Sequence, residues 1–260
     1  MISRRAIAYV RRHDWAAVAI ELTVVIVGVF IGLQASNWNE DRETDRSAAV
    51  FSERLSNDLR AEAWAYEVLI SYHGAVLAHA RRAADALSGR PPLSDEALLV
   101  AAYRATQYNS TTRRRATYDE LTSTGGIGLI REPGLRDLSM RVYTDPEFEY
   151  FNLEGKNSEY RHWFRLNMPH EVQRKLSQAC GDRVVTPGDY KDIAHMLDYP
   201  CSPGLSPAAV TTAAAILRND QVVLPLLRLR IADVETSLSY LTLYSKDMHD
   251  GLRGIAGKRR

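Results

Sequence analysis

Apolar residues follow two different patterns in the first third of the chain. From Trp15 to Leu33 they run almost without interruption, broken only by Glu21 and Thr23. That is close to the ~20 residues a helix needs to cross a ~30 Å hydrocarbon core. From Asp45 to Leu87 they recur instead at three- and four-residue steps, as Phe51, Leu55, Leu59, Tyr66, Leu69, His73, Leu77, Ala80, Ala84 and Leu87, with charges between. This second pattern predicts one long amphipathic helix. No Gly or Pro lies between Gly32 and Gly74, so the first helix is free to run on into the second. Ser88-Gly89-Arg90-Pro91-Pro92 then ends it.

The rest of the chain keeps the helical period. Ser94, with Asp95 and Glu96 behind it, caps a helix expected through about Tyr108. A short helix from about Arg114 stops at Gly125-Gly126, and Pro133 and Pro146 mark the first turns of two more. Residues 146–178 read as helical with breaks near Gly155 and Pro169. Gly181 to Pro207 is turn-rich, with one small helix around Tyr190–Leu197, and Ser206-Pro207 opens another. A last long helix is expected from about Asp220 to Leu252, with Leu227, Ile231, Val234, Leu238, Leu241, Met248 and Leu252 on its stripe. Nowhere does alternation persist long enough for a sheet. The expected fold is all-α: an N-terminal transmembrane helix, then a long-helix bundle domain outside the membrane. Its long helices, about 45–87 and 220–252, should pack antiparallel. The C-terminus would then return toward the bilayer, where Lys258-Arg259-Arg260 either touches headgroups or frays into solvent.

Charge gives the span a direction. Arg4, Arg5, Arg11 and Arg12 precede it; Glu40, Asp41, Glu43 and Asp45 follow, with only Arg42 and Arg46 among them. Cytoplasmic flanks keep the Lys/Arg excess, so residues 1–14 are expected inside, 15–38 in the membrane and 39–260 outside. Trp15 and Trp38 bracket the span, where amphipathic rings sit at headgroup level. A cleaved signal peptide fits less well, because Leu33 stands where a cut after Ala35 wants a small residue. Ser3-Arg4-Arg5 bears a faint likeness to a twin-arginine signal, but a second arginine pair and His13-Asp14 separate it from the apolar run.

Glu21 is the odd residue in the span. A charge at the centre of a span costs roughly +2.5 to +3.5 kcal/mol on insertion scales. The surrounding Leu, Ile, Val and Phe offset that, and a position nearer the inner leaflet lessens it. Glu21, Gly28 and Ala35 are spaced by seven, and Gly32 follows Gly28 by four, so the four share a helical face. Gly28-x-x-x-Gly32 lets backbones approach, and a polar group on that face prefers a protein partner to lipid. This face is expected to contact a second span, from another copy or a different protein. The bland alternative is that G-x-x-x-G arises by chance in an apolar helix.

Composition narrows the partners. The formal net charge is +1, from 33 Lys and Arg against 32 Asp and Glu, which does not point to nucleic acid or an anionic surface. The local run Arg113-Arg114-Arg115 reads as a solvated helix start. The expected partners are the lipid bilayer and a protein, or a second copy, met through the span. The two cysteines, Cys180 and Cys201, lie on the expected outer side, where an oxidising compartment favours a bridge over two free buried thiols. Closing that loop would stabilise the fold by ~3 kcal/mol. The surplus of Tyr over Phe, 13 against 5, suits wet helix packing and protein contacts.

No catalytic, cofactor or metal motif survives inspection. His170-Glu171 begins like H-E-x-x-H, but Arg174 holds the second histidine position. Glu159-x-x-His162 and Asp192-x-x-His195 have helical spacing, yet a di-iron bundle needs two Glu-x-x-His helices and two further glutamates. His73 and His79 are six apart and fall on different faces; His73 is expected half-buried. Gly125-Gly126-Ile127-Gly128 lacks the Lys and Ser/Thr of a phosphate loop and any preceding strand. A structural role is expected instead, with Tyr118 and Leu121 on one helix face, a left-handed exit at Gly125 and Gly126, and Leu129-Ile130 re-entering the core.

Two stretches carry a resemblance. Glu21 with VVIVGVFIGLQASNWNEDR (Val24 to Arg42), together with TYDELTSTGGIGLI (Thr117 to Ile130) and Leu135-Arg136, resembles a family of bacterial membrane-anchored proteins of unknown function. The likeness covers the first 45 residues closely and about 117–143 more loosely. It implies a single-span inner-membrane protein with a helical outer domain, and makes Glu21, Gln34, Asn37, Trp38 and Asn39 part of the motif. It implies no activity. The functional expectation is an interaction or scaffold protein and not an enzyme, with no cofactor. The alternative is an extracytoplasmic sensor or ligand-binding module acting through a partner protein, since residues 1–14 are too few for a signalling domain.

Overall fold

In the computed structural model, residues 15–109 and 112–257 are described. The expectations for Arg4, Arg5, Arg11, Arg12 and the Lys258–Arg260 tail fall outside them. A single helix, α1 (Trp15–Leu87), carries both apolar patterns without a break over 73 residues. At about 1.5 Å per residue it is roughly 110 Å long. It ends where Ser88 and Gly89 turn back on Ala84, Asp85 and Ala86, with Gly89 at φ 81°, a conformation only glycine adopts cheaply.

Nine more α-helices follow among the described residues, with no strand: α2 (Asp95–Ala105), α3 (Ala116–Ser123), α4 (Pro133–Thr144), α5 (Glu147–Asn157), α6 (Glu159–Asn167), α7 (His170–Cys180), α8 (Pro207–Asn219), α9 (Val223–Ser239) and α10 (Lys246–Gly257). Serines cap three of them. Ser94, Ser158 and Ser206 accept the third-residue N–H of α2, α6 and α8. Pro133 and Pro207 occupy first helical turns, where a missing N–H costs nothing.

Three apolar clusters stack along the upper part of α1. The lower one joins Leu55, Leu59, Tyr66 and Leu69 to α3, α4, α5 and α10, with Leu121, Ile130, Leu138 and Leu252 fully or nearly buried. The upper one sets Ala80, Ala83 and Ala84 against α2, α6, α7, α8 and α9. A third, on the flank, packs Val68, Tyr72 and Val76 against the 3₁₀ turn Ile193–Met196. The upper half of α1 is therefore not a two-faced amphipathic helix. Val68, Tyr72, Val76 and His79 are buried beside the expected stripe, so the helix is a central post wrapped on several sides.

The C-terminal helices run antiparallel to α1. Arg81 pairs with Glu235, Glu67 with His249 and Arg253, and Ser56 and Arg60 line a cleft with Gly254 and Ile255. The single helix expected over 220–252 is two. Asp220 stays outside, its carboxylate accepting the Val222 N–H at 3.0 Å. A π turn, Tyr240–Tyr244, separates α9 from α10, closed by the Ser245 N–H on the Tyr240 carbonyl at 2.9 Å. The Tyr66 hydroxyl donates to the Leu241 carbonyl at 3.0 Å, so the widened turn points a backbone acceptor at α1.

Other boundaries also differ. Gly155 does not interrupt α5; a Cβ there would lie 2.7 Å from the Tyr108 Cβ, so the glycine admits a close chain crossing. The break falls at Ser158. Gly125, at φ 71°, makes the left-handed exit alone, because Gly126 begins a 3₁₀ turn to Leu129. Ile130 is fully buried, whereas Leu129 is only half-buried.

Candidate functional site

The projecting end of α1 is the feature without an internal explanation. Every residue from Val18 to Arg46 is exposed; Asp45 pairs with Arg131 in solvent, and Ala48 is the first residue of α1 to be buried. No part of the apolar window is buried within the protein. Trp15, Ile20, Leu22, Val24, Phe30, Ile31 and Leu33 each leave more than half of their surface uncovered. At this scale apolar exposure marks a surface made for another phase or another chain. The Thr23 hydroxyl donates to the Ala19 carbonyl at 2.7 Å, so this polar group needs nothing outside the helix. Arg42 lies over the Trp38 ring at 4.1 Å, placing a cation and an amphipathic ring together just past the C-terminal end of the run.

The helix brings Glu21, Gly28, Gly32 and Ala35 onto one face within an arc of about 60°. A Cβ on Gly28 or Gly32 would meet nothing within 4 Å, so both glycines leave an open groove in the rod. Trp15 and Trp38 stand at the two ends, both exposed. The face faces outward, and the domain does not reach it.

Cys180 and Cys201 form a disulfide, with Cα atoms 5.4 Å apart. Sequence reasoning missed what surrounds it. Arg104 of α2 is buried, and its Nε donates to the Cys180 carbonyl at 3.2 Å. Its Nη2 donates to the Tyr199 carbonyl at 2.9 Å. The guanidinium also stacks on the Tyr199 ring at 4.5 Å. The arginine thus holds both strands of the bridged loop, and burial pushes its pKa below the ordinary value. The signal was present in the sequence, since Arg104 sits in an otherwise apolar helix, Leu98 to Ala105.

Arg113 is not a solvated helix start. Its Nε donates to the buried Glu62 carboxylate at 3.0 Å, and the Arg114 N–H reaches the other Glu62 oxygen at 2.6 Å. The helix begins only at Ala116: Arg113 and the Arg114 N–H serve this carboxylate, and Arg115 pairs with Asp119 inside the first turn. Arg230, also missed, is buried and donates to the Ala105 and Gln107 carbonyls.

His73 is fully buried rather than half-buried. Its Nδ1 contacts the Leu69 carbonyl at 2.9 Å, its ring meets Phe151 edge-on at 4.1 Å, and burial pushes its pKa down to about 3. His79 is buried beside Arg104 and is lowered to about 4, by burial first and then by Arg104 and Arg82. Glu159, His162, Asp192 and His195 are all exposed. Among the described residues no group of three or more His, Cys, Asp or Glu side chains converges as metal ligands would.

No protein-family model, curated protein or solved structure matches this chain, so its functional reading rests on its own residues.

Proposed function

We propose that the chain is a membrane-anchored interaction or scaffold protein. Residues 15–38 cross the cytoplasmic membrane of a bacterium, residues 1–14 face the cytoplasm, and the helical domain lies in the periplasm. The observation that carries this reading is the run Val18–Leu33, apolar all round but for Glu21 and Thr23 and untouched by the domain. A helix apolar all round is stable only in lipid or in a larger core, and the domain's own core is already closed without it. The disulfide supports an oxidising compartment for the domain. The charge step across the span and the family resemblance support the direction. Glu21 and the two glycines then supply the contact face, toward a second span that shields the carboxylate from lipid.

The test uses the full chain in its membrane, with cross-linkers placed at the ends of the span. Wild type should resist carbonate extraction and give a discrete cross-linked product. Glu21→Ala combined with Gly28→Leu should leave the anchoring intact and diminish that product. Release by carbonate would refute the anchor, and an unchanged product would refute the contact face.

A further inference from the structure

Several arginines on this molecule meet carboxylates, and others, such as Arg104 and Arg230, are spent on backbone carbonyls. Arg54, Arg81, Arg113, Arg115, Arg218 and Arg253 each contact an Asp or Glu within 4 Å. Arg161, Arg165 and Arg174 do not, and all three line one cleft of about 460 Å³ between α6 and α7. That volume lies in the range of small-molecule sites. No Asp or Glu lines the cleft; its other polar groups include His170, Ser177 and Gln178.

The spacing concentrates the charge. Arg161 and Arg165 are one turn apart on α6, and His170 and Arg174 one turn apart on α7. The like charges of Arg161 and Arg165 at this spacing destabilise a helix by a few tenths of a kcal/mol, and of the two only Arg161 is engaged by the fold, through Thr106 and Tyr108. Burial, and then the Arg165 cation, push Arg161 below its ordinary pKa. Asp182 tempers the field from behind, held by the Tyr72 hydroxyl at 2.6 Å, but it makes no ion pair with any of the three.

The walls are fixed before any ligand arrives. The Arg161 guanidinium donates to the Thr106 carbonyl at 2.8 Å and lies over the Tyr108 ring at 4.7 Å. The Tyr160 hydroxyl ties α6 to the Ala102 carbonyl, and the Trp163 indole ties it to Asp220. The Gln173 amide bridges the Arg165 and Met168 carbonyls, locking the α6–α7 corner. Arginines held on rigid helices around an open space form a preorganised receptor for planar or tetrahedral oxyanions.

We propose that this cleft binds a small, multiply charged anion bearing phosphate or carboxylate groups, with Arg161 at its root and Arg165 and Arg174 at its rim. The neighbouring cleft, at about 540 Å³, is larger, but Glu96 and Asp198 line it and would repel such a ligand. The binding does not depend on the anchor. If Trp38 does mark the bilayer edge, about 50 Å of helix separates it from Tyr72, the α1 residue that bears on Arg161. That is several screening lengths from any headgroup of the anchoring membrane, so the ligand is a soluble one.

The full chain in neutral phosphatidylcholine nanodiscs is titrated with pyrophosphate and, separately, with citrate, against sodium chloride at matched ionic strength. Calorimetry should show saturable binding of at least one anion, accompanied by a rise in the unfolding midpoint. Arg165→Gln with Arg174→Gln, both at exposed positions, should weaken it about tenfold or more. Arg82→Gln in the other cleft and Arg228→Gln on α9 should not. Midpoint shifts that sodium chloride reproduces would overturn the proposal. So would binding that survives the double substitution, or that is lost only with Arg82→Gln. A response only when phosphatidylglycerol replaces the neutral lipid would overturn the soluble ligand.

Discussion

Two stretches of one helix live under opposite rules. Below Arg46, α1 is exposed all round and apolar over most of its length; above Ala48 it is covered on several sides, yet carries Glu62, His73 and His79 into the interior. Each half holds a carboxylate that looks costly. Glu62 is answered by Arg113 and the Arg114 N–H, whereas Glu21 lies exposed and meets no polar partner among the described residues. A buried polar group is tolerated where its own chain supplies the partner. On the function proposed above, the partner of Glu21 is a second span.

The sharpest way to break this contrast is to remove the inner answer. Arg113→Ala should cost about 3–5 kcal/mol in urea unfolding of the domain, because it removes one partner of a buried ion pair and leaves Glu62 with only the Arg114 N–H. Glu21→Ala should leave that unfolding unchanged; equal losses would erase the distinction between the halves. Next in size is the bridge. Replacing Cys180 and Cys201 by alanine opens a loop with a sequence separation of 21 and should cost about 3 kcal/mol, visible as a lowered midpoint.

Acid should act on the upper half through its two buried histidines. His73 and His79 titrate near 3 and 4 in the folded protein, against 6.5 when unfolded. Their contribution is complete above pH 6.5 and is lost as the pH falls toward 4, because the unfolded chain takes up protons the folded one refuses. The slope should be about 1.4 kcal/mol per pH unit for each histidine. His73→Gln should remove one histidine's share, and an unaltered slope would show that His73 is protonated in the fold. The smallest effect belongs to the border between the halves, where Arg131 pairs with Asp45 in solvent. Arg131→Ala should shift unfolding by less than about 1 kcal/mol.

Periodicity made the helical fold and the Glu21 face readable, since both depend on spacing alone. What spacing conceals is the partner of a polar side chain. Arg113 looked like part of a solvated run because Glu62, its reason for being buried, lies 51 residues earlier. Gly155 looked like a break because the chain crossing it, at Tyr108, is invisible locally. The π turn has no marker in residue type; it follows from where Tyr66 meets Leu241. The cleft was half legible. The His170–Arg174 spacing that disqualified a zinc site is also the spacing that puts both side chains on one wall, but the facing pair on α6 became apparent only in three dimensions.

The unbroken length of α1 gives the Glu21–Gly28 face a compass bearing. A straight α-helix returns to the same azimuth about every 18 residues. Gly28 therefore points the same way as Arg46, Trp64 and Arg82. Trp64 is where the disulfide-side loop docks, its indole donating to the Asp189 carbonyl at 3.2 Å. A partner that gripped the Gly28 groove would thus also dictate which side of the distant domain it confronts. A twist applied at one end of the rod becomes a change of heading at the other.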